Sequence, residues 1–315
     1  MLGKTAGGLL WLFRYMERIE NAARLVDTGH RIALTRPDRA DSEWASVLET
    51  AGARAGFDAW NEGEPLSGEA VTDWLLRQRG NPSSVLNAVD AARSNARLVR
   101  TAITREVWEA VNDCWMVLKE ALARKVPTRN LPGVLKIIRQ KSAYVRGTLH
   151  GTMLRNDYYD FARIGTFLER ADATARLLDV KYYVLLPSAA GVGSNLDNAQ
   201  WEVILRAASS EGGFRAVHGG DRGPTAIARF LMLDARMPRS LAFCYTKIGD
   251  NLGYLERDYG LTLPCHGLAA DIRQRICGRD IESVFDEGLH QVLQTFLDDN
   301  VRLARQIEQD YRFYA

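Results

Sequence analysis

The sequence predicts an all-α fold, and three observations carry that expectation. Apolar residues recur at helical spacing along most of the chain, as in Trp44, Val47, Leu48, Ala51 and again in Val107, Val111, Trp115, Leu118. No alternation of apolar and polar residues runs long enough to argue for a sheet. Proline- and glycine-containing breaks separate one helical stretch from the next. With 315 residues, 46% hydrophobic and 25% charged, the chain can bury one large core or two smaller fused ones.

In chain order, residues 9–34 read as a long helix with no glycine before Gly29. Residues 41–60 form a second, with Asp41 or Ser42 as N-cap. A loop at 61–68 precedes a helix over 71–79. Asn81-Pro82-Ser83-Ser84 breaks the pattern, and Ser83 or Ser84 caps a helix to about Ile103. Residues 106–124 continue helical, and a break follows from Val126-Pro127 to Pro132-Gly133. Long helices are expected at 134–153 and 158–186, then a loop over 187–198. Helices resume at 200–210, 224–235, 239–258, about 266–277 and 280–312, with a glycine-rich turn region over 212–224.

A charged phrase occurs twice and aligns without a gap: FRYMERIENAARLVD at 13–27 and GTFLERADATARLLD at 165–179. Glu17 falls on Glu169, Arg18 on Arg170, Arg24 on Arg176 and Asp27 on Asp179. Trp44–Phe57 matches Trp201–Phe214, and Trp74–Val85 matches Phe230–Leu241, placing Pro82 on Pro238 and Ser84 on Ser240. The same offset carries Asn95 onto Asn251. Three collinear matches imply duplication of a unit of about 150 residues, with halves 1–150 and 151–315 fused into a single helical domain about a pseudo-twofold axis.

At about 100° per residue, Glu17, Glu20, Arg24 and Asp27 share a stripe, with Trp11, Tyr15, Ile19, Ala22 and Val26 opposite. Arg18 lies on the flank of the apolar face. Glu169, Asp172, Arg176 and Asp179 repeat the stripe, with Arg170 in the place of Arg18. An arginine on an apolar flank needs a partner, because an unpaired buried charge is expensive. Helical phase suggests Glu169 for Arg18 and Glu17 for Arg170. Three readings of the cluster are open: a structural charge network, a site for an anionic or zwitterionic ligand, or a catalytic group of carboxylates.

Other candidates carry less. Glu287-x-x-His290 has di-iron spacing but no second copy, and Cys265-His266 with Cys277 lacks zinc spacing, so no metal or cofactor is expected. The glycine stretches at 190–193 and 219–223 lack the residues of a phosphate-binding loop. Arg215 and Arg222 flank the second, and Asp157 is the expected N-cap of the helix carrying the second phrase. A net charge of +2, with acids and bases balanced, argues against nucleic acid as a partner. Four cysteines without a CxxC suit reduced thiols. The apolar run ending at Arg14 and the run over 182–196 are too short to span a membrane, so a cytoplasmic protein is expected.

The residues WLFRYMER at 11–18, Ala23-Arg24-Leu25, Asn81-Pro82-Ser83-Ser84-Val85, Asp157, Phe161, Gly165, LERAD at 168–172 and ARLL at 175–178 resemble the alpha-E family. These are bacterial helical proteins named for a Glu-Arg motif. The resemblance spans essentially the whole chain. It implies a genomic association with a circularly permuted ATP-grasp protein resembling peptide or amide ligases, and with a transglutaminase-like peptidase. The role it implies is that of an accessory subunit in peptide synthesis or modification, against the alternatives of an enzyme in its own right or a non-catalytic scaffold.

Overall fold

The computed structural model describes residues 3–35, 40–185, 203–219 and 223–314, and the described residues are helical with no strand among them. The all-α expectation therefore holds. The chain divides into two compact units, 1–166 with 312–315, and 167–311. The division falls inside one helix, and the second charged phrase begins at it.

The first unit is arranged around α1 (Gly3–Thr35), which packs against α2 (Ala40–Thr50), α4 (Gly68–Leu76), α5 (Val85–Leu98) and α7 (Leu131–Thr152). Because neighbours lie on several sides, residues on both faces are buried: Leu9, Leu12, Met16, Ile19, Ala23 and Val26, but also Glu17 and Glu20. The acidic stripe and the apolar stripe of the phrase are thus both enclosed. α1 starts six residues earlier than expected. Gly7 lies against Phe313 and Gly8 against Val99, so the glycines serve close packing there.

The helix expected over 41–60 is two: α2 and α3 (Arg54–Trp60), separated at Gly52, whose φ is +62°. α2 begins at Ala40, so Asp41 sits inside its first turn, where a negative charge favours the helix dipole. Phe57 meets Trp74 edge-on at 6.3 Å, and Trp60 stacks obliquely on Trp74. Ser67 caps α4, and Ser84 caps α5, its Oγ accepting from Asn87 N–H at 3.3 Å. α5 stops at Leu98 rather than Ile103. α6 (Arg105–Ala121) is capped by Thr104 and packs against both α5 and α7. α8 (Asp157–Leu185) completes the unit with its first turns, where Gly165 lies directly on the Leu10 carbonyl of α1.

In the second unit, 203–207 are helical, followed by α9 (Glu211–His218), α10 (Pro224–Leu233), α11 (Leu241–Tyr259), α12 (Pro264–Cys277), α13 (Ile281–Glu287) and α14 (Leu289–Asp310). α12 packs against α10, α11 and α14. The glycine-rich turn expected over 212–224 is in its first half the helix α9: Phe214 anchors it by meeting Phe230 at 5.5 Å, and this burial outweighs the low helix propensity of Gly212 and Gly213. The helix expected over 280–312 breaks at Gly288, whose φ of +102° a side chain would resist. Ser240 caps α11, its Oγ accepting from Phe243 N–H at 3.0 Å. The loop expected over 187–198, the glycine stretch at 190–193 and Trp201 lie outside the described residues.

Candidate functional site

In the first unit the charged phrase faces α7. Arg146 Nη1 donates to Glu20 Oε2 at 2.6 Å and reaches Glu17 Oε2 at 3.4 Å. Arg24 closes on the other oxygen of Glu20, at 3.1 Å from Nε and 2.5 Å from Nη2. Two turns further along α1, Arg139 Nη1 donates to Asp27 Oδ2 at 3.0 Å, and Arg31 lies 3.3 Å from Oδ1 of the same carboxylate. Seven residues separate Glu20 from Asp27, and seven separate Arg146 from Arg139. On antiparallel helices this spacing sets two rungs of one ladder.

The two Glu17 and Glu20 side chains are each 1% exposed, whereas Arg146 keeps 29% of its surface. The carboxylates thus sit below an arginine lid, desolvated and charge-matched from two helices. Arg146 and Arg139 escaped the sequence reading. Their seven-residue spacing, mirrored by Glu20 and Asp27, was the available signal.

His30 is buried near this ladder, and burial pushes its imidazole below the ordinary value. The Asp27 charge pulls upward with less effect, and Arg31 adds to the lowering. A lowered imidazole means the unfolded chain binds the proton first. Its stabilising contribution is complete above the unfolded value of about 6.5 and is lost as pH falls through the folded value. Urea unfolding midpoints should therefore fall between about pH 7.5 and about pH 5.5, and His30→Asn should flatten that slope. A slope unchanged by the substitution would assign it to other groups.

The second phrase is held differently. Asp172 pairs with Arg176 one turn on, at 2.8 Å. Asp179 accepts from His290 Nδ1 at 2.5 Å and from Gln294 Nε2 at 2.7 Å, both on α14. Glu169 and Arg170 are both buried. Arg170 donates to the Pro238 carbonyl at 3.3 Å, and Thr174 donates to the Arg239 carbonyl at 2.8 Å. Tyr245 donates to Asn300 Oδ1, and Asn300 donates in turn to the Leu168 carbonyl, tying α8, α11 and α14 together next to Glu169. Burial raises the Tyr245 phenol well above its usual value, which fits a structural donor.

Both Glu-Arg arginines lie over the ring one turn earlier. The Arg18 guanidinium is 5.5 Å from the Tyr15 ring and that of Arg170 is 5.3 Å from the Phe167 ring.

The remaining candidates are placed as follows. Arg215 pairs with Glu211 within α9, and Arg222 lies outside the described residues. Asp157 is the first residue of α8, not its cap. The preceding Asn156 accepts from Tyr159 N–H at 3.4 Å, the pattern of a cap, and Asp157 accepts from Tyr158 N–H. Glu287 ends α13 and pairs with Arg279, while His290 opens α14 and turns to Asp179, so the Glu-x-x-His pair splits across Gly288. His266 caps α12, accepting from Leu263 N–H at 2.9 Å. Among the described residues no group of three or more His, Cys, Asp or Glu is placed to hold a metal ion. Burial pushes the Cys114 thiol up to about 12 and raises Cys265 and Cys277 as well, the reverse of what a nucleophile needs.

These features define an all-α protein with two long helices, each carrying a Glu-Arg phrase whose glutamate is buried. Residues 1–312 match the Alpha-E family, described as a predicted alpha-helical domain with a conserved ER motif, and the chain belongs to that family. It is 27% identical over 284 residues to an uncharacterized protein of Mycobacterium bovis, covering 83% of this chain and 31% of that protein. An uncharacterized protein of Mycobacterium tuberculosis strain H37Rv matches over the same extent at 26% identity. The chain thus spans about a third of the length of these curated relatives. No solved structure matches. Among the described residues no helix is long and apolar enough to cross a membrane.

Proposed function

We propose that the protein is an accessory subunit of an ATP-grasp amide-ligase system, working in the cytoplasm beside a circularly permuted ATP-grasp ligase-like protein and a transglutaminase-like peptidase. Family membership supports the setting. The observation that carries the accessory role is the commitment of the phrase's carboxylates. Glu17 and Glu20 are engaged by Arg146, Glu20 also by Arg24, Asp27 by Arg139, and Asp179 by His290 and Gln294. Carboxylates fixed in this way favour a rigid framework over general acid–base work, which needs a group free to change its proton.

Duplication of an ancestral unit accounts for the architecture, and local structure supports it. Gly52 and Ser209, aligned by the repeat, both take positive φ, at +62° and +49°. Phe57–Trp74 and Phe214–Phe230 are aligned pairs with the same edge-on contact. Asn95 and Asn251 both donate to the carbonyl four residues earlier, and Ser84 and Ser240 both cap.

The test is reconstitution with the neighbouring ATP-grasp protein. A complex that survives gel filtration, and ligase turnover raised by this chain, are the expected results. Absence of both overturns the proposal. Turnover lost in a folded Glu17→Gln variant that still forms the complex would instead favour a catalytic role for the phrase.

A further inference from the structure

The end of α7 and the start of α8 bring together four further side chains, His150, Arg155, Tyr159 and Arg163. His150 Nδ1 lies 2.7 Å from the Tyr159 hydroxyl, and Arg163 Nη1 lies 3.0 Å from His150 Nε2. The Arg155 guanidinium carbon lies over the phenol ring, 4.0 Å from its centre, and that of Arg163 lies 5.9 Å from it. Arg155 is itself anchored, donating to the Met153 carbonyl at 2.8 Å and the His150 carbonyl at 2.6 Å. It thereby satisfies carbonyls at the end of α7.

The chemistry of the donors fixes the direction of the chain of hydrogen bonds. A guanidinium only donates, so His150 Nε2 must accept from Arg163. The imidazole is then neutral with its proton on Nδ1, and Nδ1–H donates to the Tyr159 oxygen. That leaves the phenol's own proton pointing away from His150. Tyr159 is half-buried, and its own O–H is left to donate to a further acceptor beside the guanidinium groups of Arg155 and Arg163. Arg155 is exposed and uses one N–H on each terminal nitrogen for its carbonyls, which leaves further donors on the same side chain.

We infer that Tyr159, oriented by His150 and Arg163, binds an oxyanion together with Arg155: the carboxylate or phosphate group of a ligand, held by the phenolic O–H and by guanidinium N–H donors. The site lies one turn along α7 from Arg146, and it does not depend on the accessory role proposed above.

Histidine-selective nitrogen-15 NMR on the full chain tests it, with His150→Gln assigning the resonance. The expected spectrum shows His150 neutral with the proton on Nδ1. A neutral ring protonated on Nε2 overturns the proposal, because the phenol's proton would then be spent on His150. Titration with inorganic phosphate and, separately, with acetate should move the His150 signals. Saturation by either supports the site and identifies the preferred oxyanion. Tyr159→Phe, which keeps the ring and its packing, should weaken the response about tenfold or more, as loss of a hydrogen bond to a charged group requires. Arg155→Gln should weaken it also while the tautomer stays the same. No response to either anion, or an undiminished one in Tyr159→Phe, overturns the proposal.

Discussion

Arg146→Met is expected to lower the stability of the protein by about 3–5 kcal/mol, the cost of removing one partner from a buried charge pair. Methionine keeps much of the apolar stem of the arginine, so the loss isolates the charge. Without Arg146, Glu17 loses the α7 cation 3.4 Å away and Glu20 loses the 2.6 Å bond to its Oε2, while both remain desolvated under α7. Glu20 keeps Arg24, and the loss of Arg146 also leaves more repulsion between two neighbouring buried carboxylates. The check is the urea midpoint at neutral pH. The diagnostic step is a double-mutant cycle. Glu17→Gln in the Arg146→Met background should recover part of the loss, although Glu17→Gln alone destabilises. Simple additivity would mean that Arg146 acts through packing. Arg24→Met should cost less, because Glu20 would retain Arg146 and the phrase would retain its inter-helical rung.

That asymmetry also explains what the sequence could and could not disclose. The helices were legible because each depends on local terms: apolar spacing, the Ser84, Thr104 and Ser240 caps, and the prolines between elements. The phrase was legible as a repeat. Helical phase alone did not give the depth of each stripe, because it ranks the faces of a helix only when one of them meets solvent. α1 is enclosed by α2, α4, α5 and α7, so a stripe holding Glu17 and Glu20 is as buried as the stripe holding Ile19 and Val26. Phase drew attention to Arg18 and Arg170; it gave no hint of Arg139 and Arg146 on α7, which meet Asp27 and Glu20 from more than 110 residues away in sequence. The breaks at Gly52 and Gly288 were missed for a related reason. Apolar periodicity runs through both positions, and only positive φ separates the helices. The helix at Glu211–His218 was missed in the opposite sense, since burial of Phe214 supplies what its glycines lack.

Gly165 carries the second large effect. It opens the second phrase, at the position where the first has the buried Phe13. A Cβ at Gly165 would fall far inside van der Waals contact of the Leu10 carbonyl oxygen, with the Leu10 carbonyl carbon 2.9 Å and Cα 3.1 Å away. The obstacle is backbone within a helix, which cannot swing aside as a side chain can. α1 and the first turns of α8 would have to separate. Gly165→Ala is therefore expected to destabilise by about 1–3 kcal/mol, the range for overpacking, and Gly165→Val by more. The sign is the informative part. In a helix interior alanine is favoured over glycine by about 1 kcal/mol, so packing must overcome that gain before any loss appears. Gly147→Ala on α7 supplies the comparison: nothing lies within 4 Å of its Cβ, and the same substitution there should stabilise by about 0.5–1 kcal/mol. Opposite shifts in urea midpoint for the two alanines would place backbone-to-backbone contact at Leu10 and Gly165. Shifts of the same sign would mean that α1 and α8 can part there at little cost.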